Sequence, residues 1–295
     1  MYLKISYPIN QLRDYSSLFS RSEVDRWRNG DFSNLNNNIY RYDNKLFEKE
    51  ISYLKYLKYI YKVLRRDYPY EYIYKNEFLN QWVKNELGSN NSVVFNEFRI
   101  GKATADLALF NGTSKVFEIK TIFDSEYRLS RQLNEYKKLF NEIYLIVPAS
   151  QLEKYSLIND KVGIITYSAS NNTFQLVRKS YSQKNPNFSI IMKVLHTKEY
   201  KDIVSEFYGK LPEINDFTQF DICKDLIHKI PSSDLNTLFI KTLKKRKVNN
   251  LFFNNINNEF NQICLSLNLN KKEKEKLIYK LNIKINNHVL SLPES

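Results

Sequence analysis

Cysteine is nearly missing from this chain of 295 residues: Cys223 and Cys264 stand in separate segments, with no CxxC between or around them. Neither a disulfide framework nor a thiolate zinc site can organise such a chain. Histidine is almost as scarce, and His196, His228 and His288 lie far apart with no Ser-His-Asp signature, which disfavours acyl transfer by a triad. The six glycines form no Gly-rich phosphate loop, so P-loop chemistry is disfavoured too. No apolar run approaches membrane-spanning length, and the N-terminus lacks a charged-then-apolar leader pattern. The expectation is a cytoplasmic protein with no membrane partner.

Acid is also short relative to base. Forty-five Lys and Arg face thirty-two Asp and Glu, a formal net charge of +13. That surplus points to a polyanionic partner, nucleic acid first, although phosphate contacts supply affinity and not sequence preference. A Lys- and Asn-rich compositional bias produces the same surplus with no ligand at all. At 42% hydrophobic the chain can bury a full core. Its pattern divides into a helical extension over residues 1–75, a central core over 76–182 and a helical domain over 183–295.

The central block carries the chemistry. Val93-Val94-Phe95, Asp106 to Phe110 and Lys115 to Thr121 are short, rich in β-branched and aromatic residues and bounded by turn signals, so they are predicted strands. Asn111-Gly112 predicts a two-residue hairpin in which both positions take positive φ. Asp106 and Glu118 then fall on neighbouring antiparallel strands. Glu118 and Lys120 share a face, opposite Phe117 and Ile119. Two acids and an amine where strand ends can share a cation are suited to metal-assisted phosphodiester hydrolysis, because a divalent ion neutralises the phosphate and acidifies water. Mg2+, with Mn2+ as substitute, is the expected cofactor, held by Asp106, Glu118 and the carbonyl of Ile119. The bland alternative is a cross-strand ion pair on a solvated face. Against it, Phe117 and Ile119 imply a central strand, where a buried Glu and Lys are costly without a purpose.

Downstream, Asp124 and Ser125 are candidate caps for a helix whose apolar face is Leu129, Leu133, Tyr136 and Phe140, ending near Asn141. Ile143 to Val147 is an apolar run stopped by Pro148, a strand covered on both sides. Upstream, Asn76 is a candidate cap for a helix through Leu87, with Gly88 at its C-terminal stop.

This order of elements, with Glu97, Ala105-Asp106, Asn111-Gly112, Glu118-Ile119-Lys120, Asp124-Ser125, Arg128-Leu129, Gln132 and Tyr136, resembles the PD-(D/E)XK nuclease superfamily, and within it a bacterial family of mostly uncharacterised nuclease-like proteins. The resemblance spans roughly residues 76 to 150. Ala105 stands where the superfamily name has Pro, and Thr104 where many relatives carry Arg. What the resemblance implies is an α/β fold with a restriction-endonuclease-like core (helix, three-stranded meander, helix, strand, in a mixed sheet), here with helical additions at both ends. It also implies a further acid, either Glu77 from the first helix or Glu97 from the first strand, with Glu97 the one the closer family selects. Gln132 and Tyr136 match a Gln-x-x-x-Tyr element of some relatives.

The candidate catalytic set is therefore Asp106, Glu118, Lys120, Glu97, Gln132 and Tyr136. Arg128, at a four-residue step from Gln132, and Arg131 are candidate nucleic-acid contacts. So are Lys244, Lys245 and Arg246 in the densest basic cluster, which a solvated helix end explains equally well. In the flanks, Asn29-Gly30 predicts a helix stop followed by an Asn-rich loop to about Asn38, and Leu46 to Arg66 predicts an amphipathic helix. After Pro148 a short helix and two strands, Val162 to Tyr167 and Thr173 to Lys179, extend the sheet. Six helices are predicted beyond: Ile190 to Leu195, Tyr200 to Tyr208, Asp221 to Ile230, Asp234 to Leu243, Leu251 to Leu267, and Lys271 to His288. The functional expectation is an Mg2+-dependent nuclease acting on DNA, with phage defence or mobile-element restriction implied by resemblance. The alternative is a catalytically silent or partner-dependent nucleic-acid-binding module whose helical flanks serve a homodimer or a protein partner. An RNA-directed nuclease is a third.

Overall fold

A computed structural model describes residues 7–48, 50–87, 92–183, 186–249 and 257–285. In chain order the elements are α1 (Ile9–Ser17), α2 (Arg21–Asn29), α3 (Ser33–Tyr42), α4 (Tyr53–Asp67), α5 (Glu71–Phe78), α6 (Lys84–Leu87), β1 (Val93–Ile100), β2 (Ala103–Phe110), β3 (Ser114–Ile119), α7 (Leu129–Tyr136), β4 (Glu142–Pro148), α8 (Leu152–Ser156), β5 (Gly163–Ser168), β6 (Thr173–Arg178), α9 (Phe188–Val194), α10 (Thr197–Tyr208), α11 (Gln219–His228), α12 (Ser232–Lys244), α13 (Asn261–Ser266) and α14 (Lys271–Leu281). The fold is mixed α/β. No helix of the described residues is long and apolar enough to cross a membrane.

Two compact units result, and they cut across the three sequence blocks. A helical unit takes residues 1–82, 169–173 and 251–295, and a sheet unit takes 83–168 and 174–250. Described residues 186–249 thus go with the sheet, while 257–285 go with the N-terminal helices. In the helical unit the apolar faces of α1 to α5 close on Phe260, Ile263, Leu277 and Leu281. An isolated β-bridge between Ser52 and Lys284 joins the residue before α4 to the segment after α14.

The sheet unit is built on six strands in the order β1-β2-β3-β4-β5-β6. The first three form an antiparallel meander, whereas β3/β4 and β4/β5 are parallel. A parallel neighbour needs a crossover, and α7 supplies it between β3 and β4. Its Leu129, Leu133 and Tyr136 pack on Val116, Leu145 and the alanines of β2, as the helical spacing of those residues requires. Helices α9 to α12 complete this core through residues such as Ile191, Ile203, Ile227 and Phe239.

Several expectations are corrected. Asn76 is not a cap: α5 already begins at Glu71, and the fully buried Asn76 amide bonds Tyr61, the Asn258 carbonyl and the Gln262 N–H. A π-helical turn over Leu79–Val83 separates α5 from α6. The stop assigned to Gly88 lies outside the described residues. The Asn-rich stretch is helix α3, because Leu35 and Ile39 share one buried face and Asn36 satisfies the Tyr53 hydroxyl. The helix predicted from Leu46 starts at Tyr53, capped by Ser52. The hairpin loop has three residues, since Phe110 pairs with Ser114 and only Gly112, at φ 104°, takes the left-handed region. Asp124 and Ser125 do not cap α7, whose N-cap position is Arg128. Residues 251–256 and 286–288 of the last two predicted helices lie outside the described residues, as does His288.

Asn141, buried at the end of the α7 connection, holds β3 in place. Its side-chain oxygen accepts from the Ser114 N–H and the Ser114 hydroxyl, both at 2.9 Å, and its own N–H donates to Ser114 Oγ at 2.9 Å. Its amide nitrogen donates to the Gln183 carbonyl at 2.7 Å. Removing that side chain leaves buried donors at Ser114 without acceptors, at about 1–3 kcal/mol each. Asn141→Ala is expected to lose on the order of 3 kcal/mol in urea unfolding; a loss below about 0.5 kcal/mol would show that water replaces these bonds freely.

Candidate functional site

The site begins with a defect in the sheet. The β1/β2 ladder runs through Asn96↔Leu107 and resumes at Phe98↔Ala105, so Glu97 and Asp106 are skipped together. Glu97 has φ 54°, a left-handed conformation that costs a non-glycine residue about 1 kcal/mol. Both strands exchange faces there. The core under α7 takes Val93 and Phe95 from one half of β1 but Phe98 and Ile100 from the other, and Ala103 and Ala105 but then Ala108 and Phe110 from β2. A regular strand offers only alternate residues to one face, so the break at Glu97 and Asp106 shifts the phase.

The β2/β3 ladder stops at the same level. Its last rung is Leu107↔Phe117, and the next would set Asp106 opposite Glu118. Instead the Ile119 N–H donates to Asp106 Oδ2 at 2.8 Å. A carboxylate has taken the place of a ladder carbonyl, and the strands part. On the other side the Lys120 N–H donates to the Ile146 carbonyl at 2.9 Å. In a parallel ladder successive residues turn their amides to opposite edges, so the N–H and carbonyl of Ile119 face the β2 side, where Asp106 sits.

The carboxylate of Glu118, only 2% exposed, is held at both oxygens. Lys120 Nζ donates to its Oε1 at 2.8 Å and to Gln132 Oε1 at 3.3 Å. The Tyr136 hydroxyl lies 2.7 Å from Glu118 Oε2 and 3.0 Å from the Thr104 carbonyl, and its single proton serves one of them at a time. Burial pushes the Glu118 carboxyl up to about 7, the Asp106 charge adds to this, and Lys120 and Tyr136 oppose it. Burial and the Glu118 charge raise the Tyr136 phenol, which stays neutral. The donor set suits a hard divalent cation: two adjacent carboxylates that repel one another, plus the Ile119 carbonyl on the same side. Such an ion would draw Glu118 Oε1 from Lys120, and Gln132 already offers the ammonium a second oxygen.

Asp106, Glu118, Lys120, Gln132 and Tyr136 are thus brought together. Glu97 lies level with Asp106 but is exposed, and among the described residues no three His, Cys, Asp or Glu side chains converge as a metal cluster. Glu77 is engaged inside the helical unit, accepting from Tyr61 at 2.7 Å and from Gln81 and Asn172 at 2.9 Å. Arg128 and Arg131 are exposed at the start of α7. The basic cluster is partly committed elsewhere. Arg246 grips both Glu199 oxygens at 2.6 Å and the Val194 carbonyl at 2.8 Å, which makes it a tether between α10 and the end of α12. Lys245 stands 3.7 Å from Glu206, while Lys244 is half-buried.

Two features escaped sequence reasoning. Asp124 closes the turn after β3, accepting from the Thr121 N–H at 2.7 Å and hydroxyl at 2.8 Å; a Thr-x-x-Asp spacing at a strand end was the available signal. Ile122, Phe123 and Tyr127 are exposed beside it, and only their failure to fit the helical period of α7 marked them.

Comparison with known proteins places this geometry in context. The family model described as bacteriophage P4 protein cII matches residues 64–268. Protein cII of Enterobacteria phage P4 is 25% identical over 173 residues, 57% of this chain and 64% of that protein, so the match spans less than two thirds of the relative's own length. Among solved structures, a protein of unknown function from Silicibacter pomeroyi aligns over 45% of this chain and 92% of its own, at 15% identity and a TM-score of 0.30.

The raised Glu118 carboxyl has a measurable consequence. An unfolded glutamate titrates near 4.5, and the folded one near 7. Between those values the folded state binds more protons, so stability falls as pH rises. The decline is expected to total on the order of 3 kcal/mol and to level off above pH 7. Thermal unfolding of wild type and Glu118→Gln from pH 4.5 to 8 checks this, since the variant should flatten the slope. Parallel curves would assign the slope to other groups.

Proposed function

This chain belongs to the bacteriophage P4 protein cII family, and we propose for it an activity that this membership leaves open: metal-dependent hydrolysis of phosphodiester bonds, with DNA as substrate. In this reading the meander, α7 and β4 are a restriction-endonuclease-like core of the PD-(D/E)XK kind. The observation that carries it is the pairing of Asp106 with Glu118 at the parting of β2 and β3, with the Lys120 ammonium 2.8 Å from Glu118. A role in phage defence or mobile-element restriction follows only from the superfamily resemblance.

Asp106, Glu118 and the Ile119 carbonyl would hold Mg2+ or Mn2+, which supplies charge neutralisation at the phosphate and a more acidic water. The chain's own residues do the rest. The Ile119 N–H fixes the Asp106 carboxylate at 2.8 Å, so its charge is aimed before substrate arrives. Tyr136 orients Glu118 through Oε2 and keeps that oxygen from turning away. Lys120, steadied by Gln132, donates to the attacking water or to a phosphate oxygen as negative charge builds there. The burial of Glu118 keeps the local dielectric low, which strengthens its interactions with Lys120 and Tyr136.

One observation favours a second reading, a nucleic-acid-binding module that is catalytically silent or waits for a partner: both Glu118 oxygens are already occupied by Lys120 and Tyr136. Incubating the protein with plasmid and linear DNA under Mg2+ or Mn2+ separates the two. Wild type is expected to cleave, and Asp106→Ala and Lys120→Ala each to lose about a hundredfold or more. Equal cleavage by all three overturns the assignment. Absence of Asp106-dependent Mn2+ uptake, with DNA binding retained, would favour the second reading.

A further inference from the structure

Beyond Lys120 the chain does not go straight into α7. Thr121 to Arg128 form a loop in which Ile122 and Phe123 are half exposed and Tyr127 is 93% exposed. Three large apolar side chains in six positions face water. The loop that carries them is braced at both ends: Asp124 takes the Thr121 N–H and hydroxyl, and Thr121 Oγ1 takes the Phe123 N–H at 3.2 Å. Glu126 pairs with Lys154 of α8, and its carbonyl accepts from the Leu129 N–H at 2.9 Å. The rings are therefore presented by a fixed frame.

Charge identifies the occupant. Asp124 and Glu126 are turned to these internal partners, whereas Arg128 and Arg131 beside them are exposed and have no acidic partner among the described residues. Exposed flat rings followed directly by exposed guanidiniums suit bases and phosphates of a nucleic-acid strand. A protein partner would be met by an unbroken apolar patch with the charges at its rim.

Resting on the nuclease reading above, we propose that this loop binds an unpaired strand, with bases stacked on Phe123 and Tyr127 and phosphates on Arg128 and Arg131, so that the substrate of the adjoining site is single-stranded nucleic acid. Duplex bases hide their faces in the stack and cannot occupy such rings. Lys120 of the site and Thr121 of the loop are consecutive in sequence, so a strand held by the loop runs on toward the site.

The test is binding without cleavage. Fluorescence anisotropy in EDTA with a labelled single-stranded DNA, the same sequence as RNA, and the blunt DNA duplex reads the preference directly. Wild type is expected to bind a single strand at least about tenfold more tightly than the duplex, and Phe123→Ala with Tyr127→Ala to erase that margin. Tyr127→Trp should retain it. Arg128→Ala should weaken all three ligands alike and flatten the salt dependence. Unchanged binding by the double alanine variant, or a wild type that prefers duplex, overturns the proposal. If wild type binds single strands in this way but never cleaves with Mg2+ or Mn2+, the nuclease reading fails and the stacking surface stands.

Discussion

Two carboxylates held close together in a buried setting are the constraint around which the sheet unit is arranged. Asp106 and Glu118 repel, and burial withdraws the water that would screen them. The pair is tolerable only because every neighbour contributes a compensating charge or dipole: Lys120 to Glu118, the Ile119 N–H to Asp106, the Tyr136 hydroxyl to the second Glu118 oxygen. Remove that compensation and a Glu at 2% exposure has no reason to sit in a central strand.

The architecture follows from that requirement. Lys120 reaches Glu118 because β3 ends at Ile119 and leaves the lysine at its mouth. Gln132 and Tyr136 reach the same point because α7 lies across the meander as the crossover to parallel strand β4. The strained Glu97 and the skipped rung at Asp106 open the ladder where the carboxylate must turn toward β3. Strain of this kind persists only where surrounding structure over-determines it, and here the phenylalanines and alanines on both sides of the break clamp each half-strand into the core.

The arrangement also separates roles among like residues. Glu118 and Glu77 are both buried acids, yet Glu77 is surrounded by Tyr61, Gln81 and Asn172 as a structural acceptor in the helical unit, while Glu118 faces another acid and an ammonium. Arg246 and Arg128 are both cations of the basic chain, yet one is locked in a bidentate pair with Glu199 and the other is exposed. The match to the cII family spans Glu77, Glu118, Arg128, Glu199 and Arg246, and their different surroundings, more than their charges, decide what each can do.

Local pattern alone determined a good deal of this protein. Apolar periodicity and turn chemistry located the meander, the crossover helix and the next strand, and alternation put Glu118 and Lys120 on one face. Four-residue spacing aligned Gln132 with Tyr136. All of these are interactions within a few residues of chain, where backbone geometry has few options. What tertiary structure decided lies beyond that range. The phase shift at Glu97 and Asp106 depends on which face each half-strand buries; the Asn-rich stretch became helix α3 because Leu35 and Ile39 found a core; Arg246 was claimed by Glu199, 47 residues away. No periodicity encodes a partner that distant, because only the folded core brings it within hydrogen-bond reach.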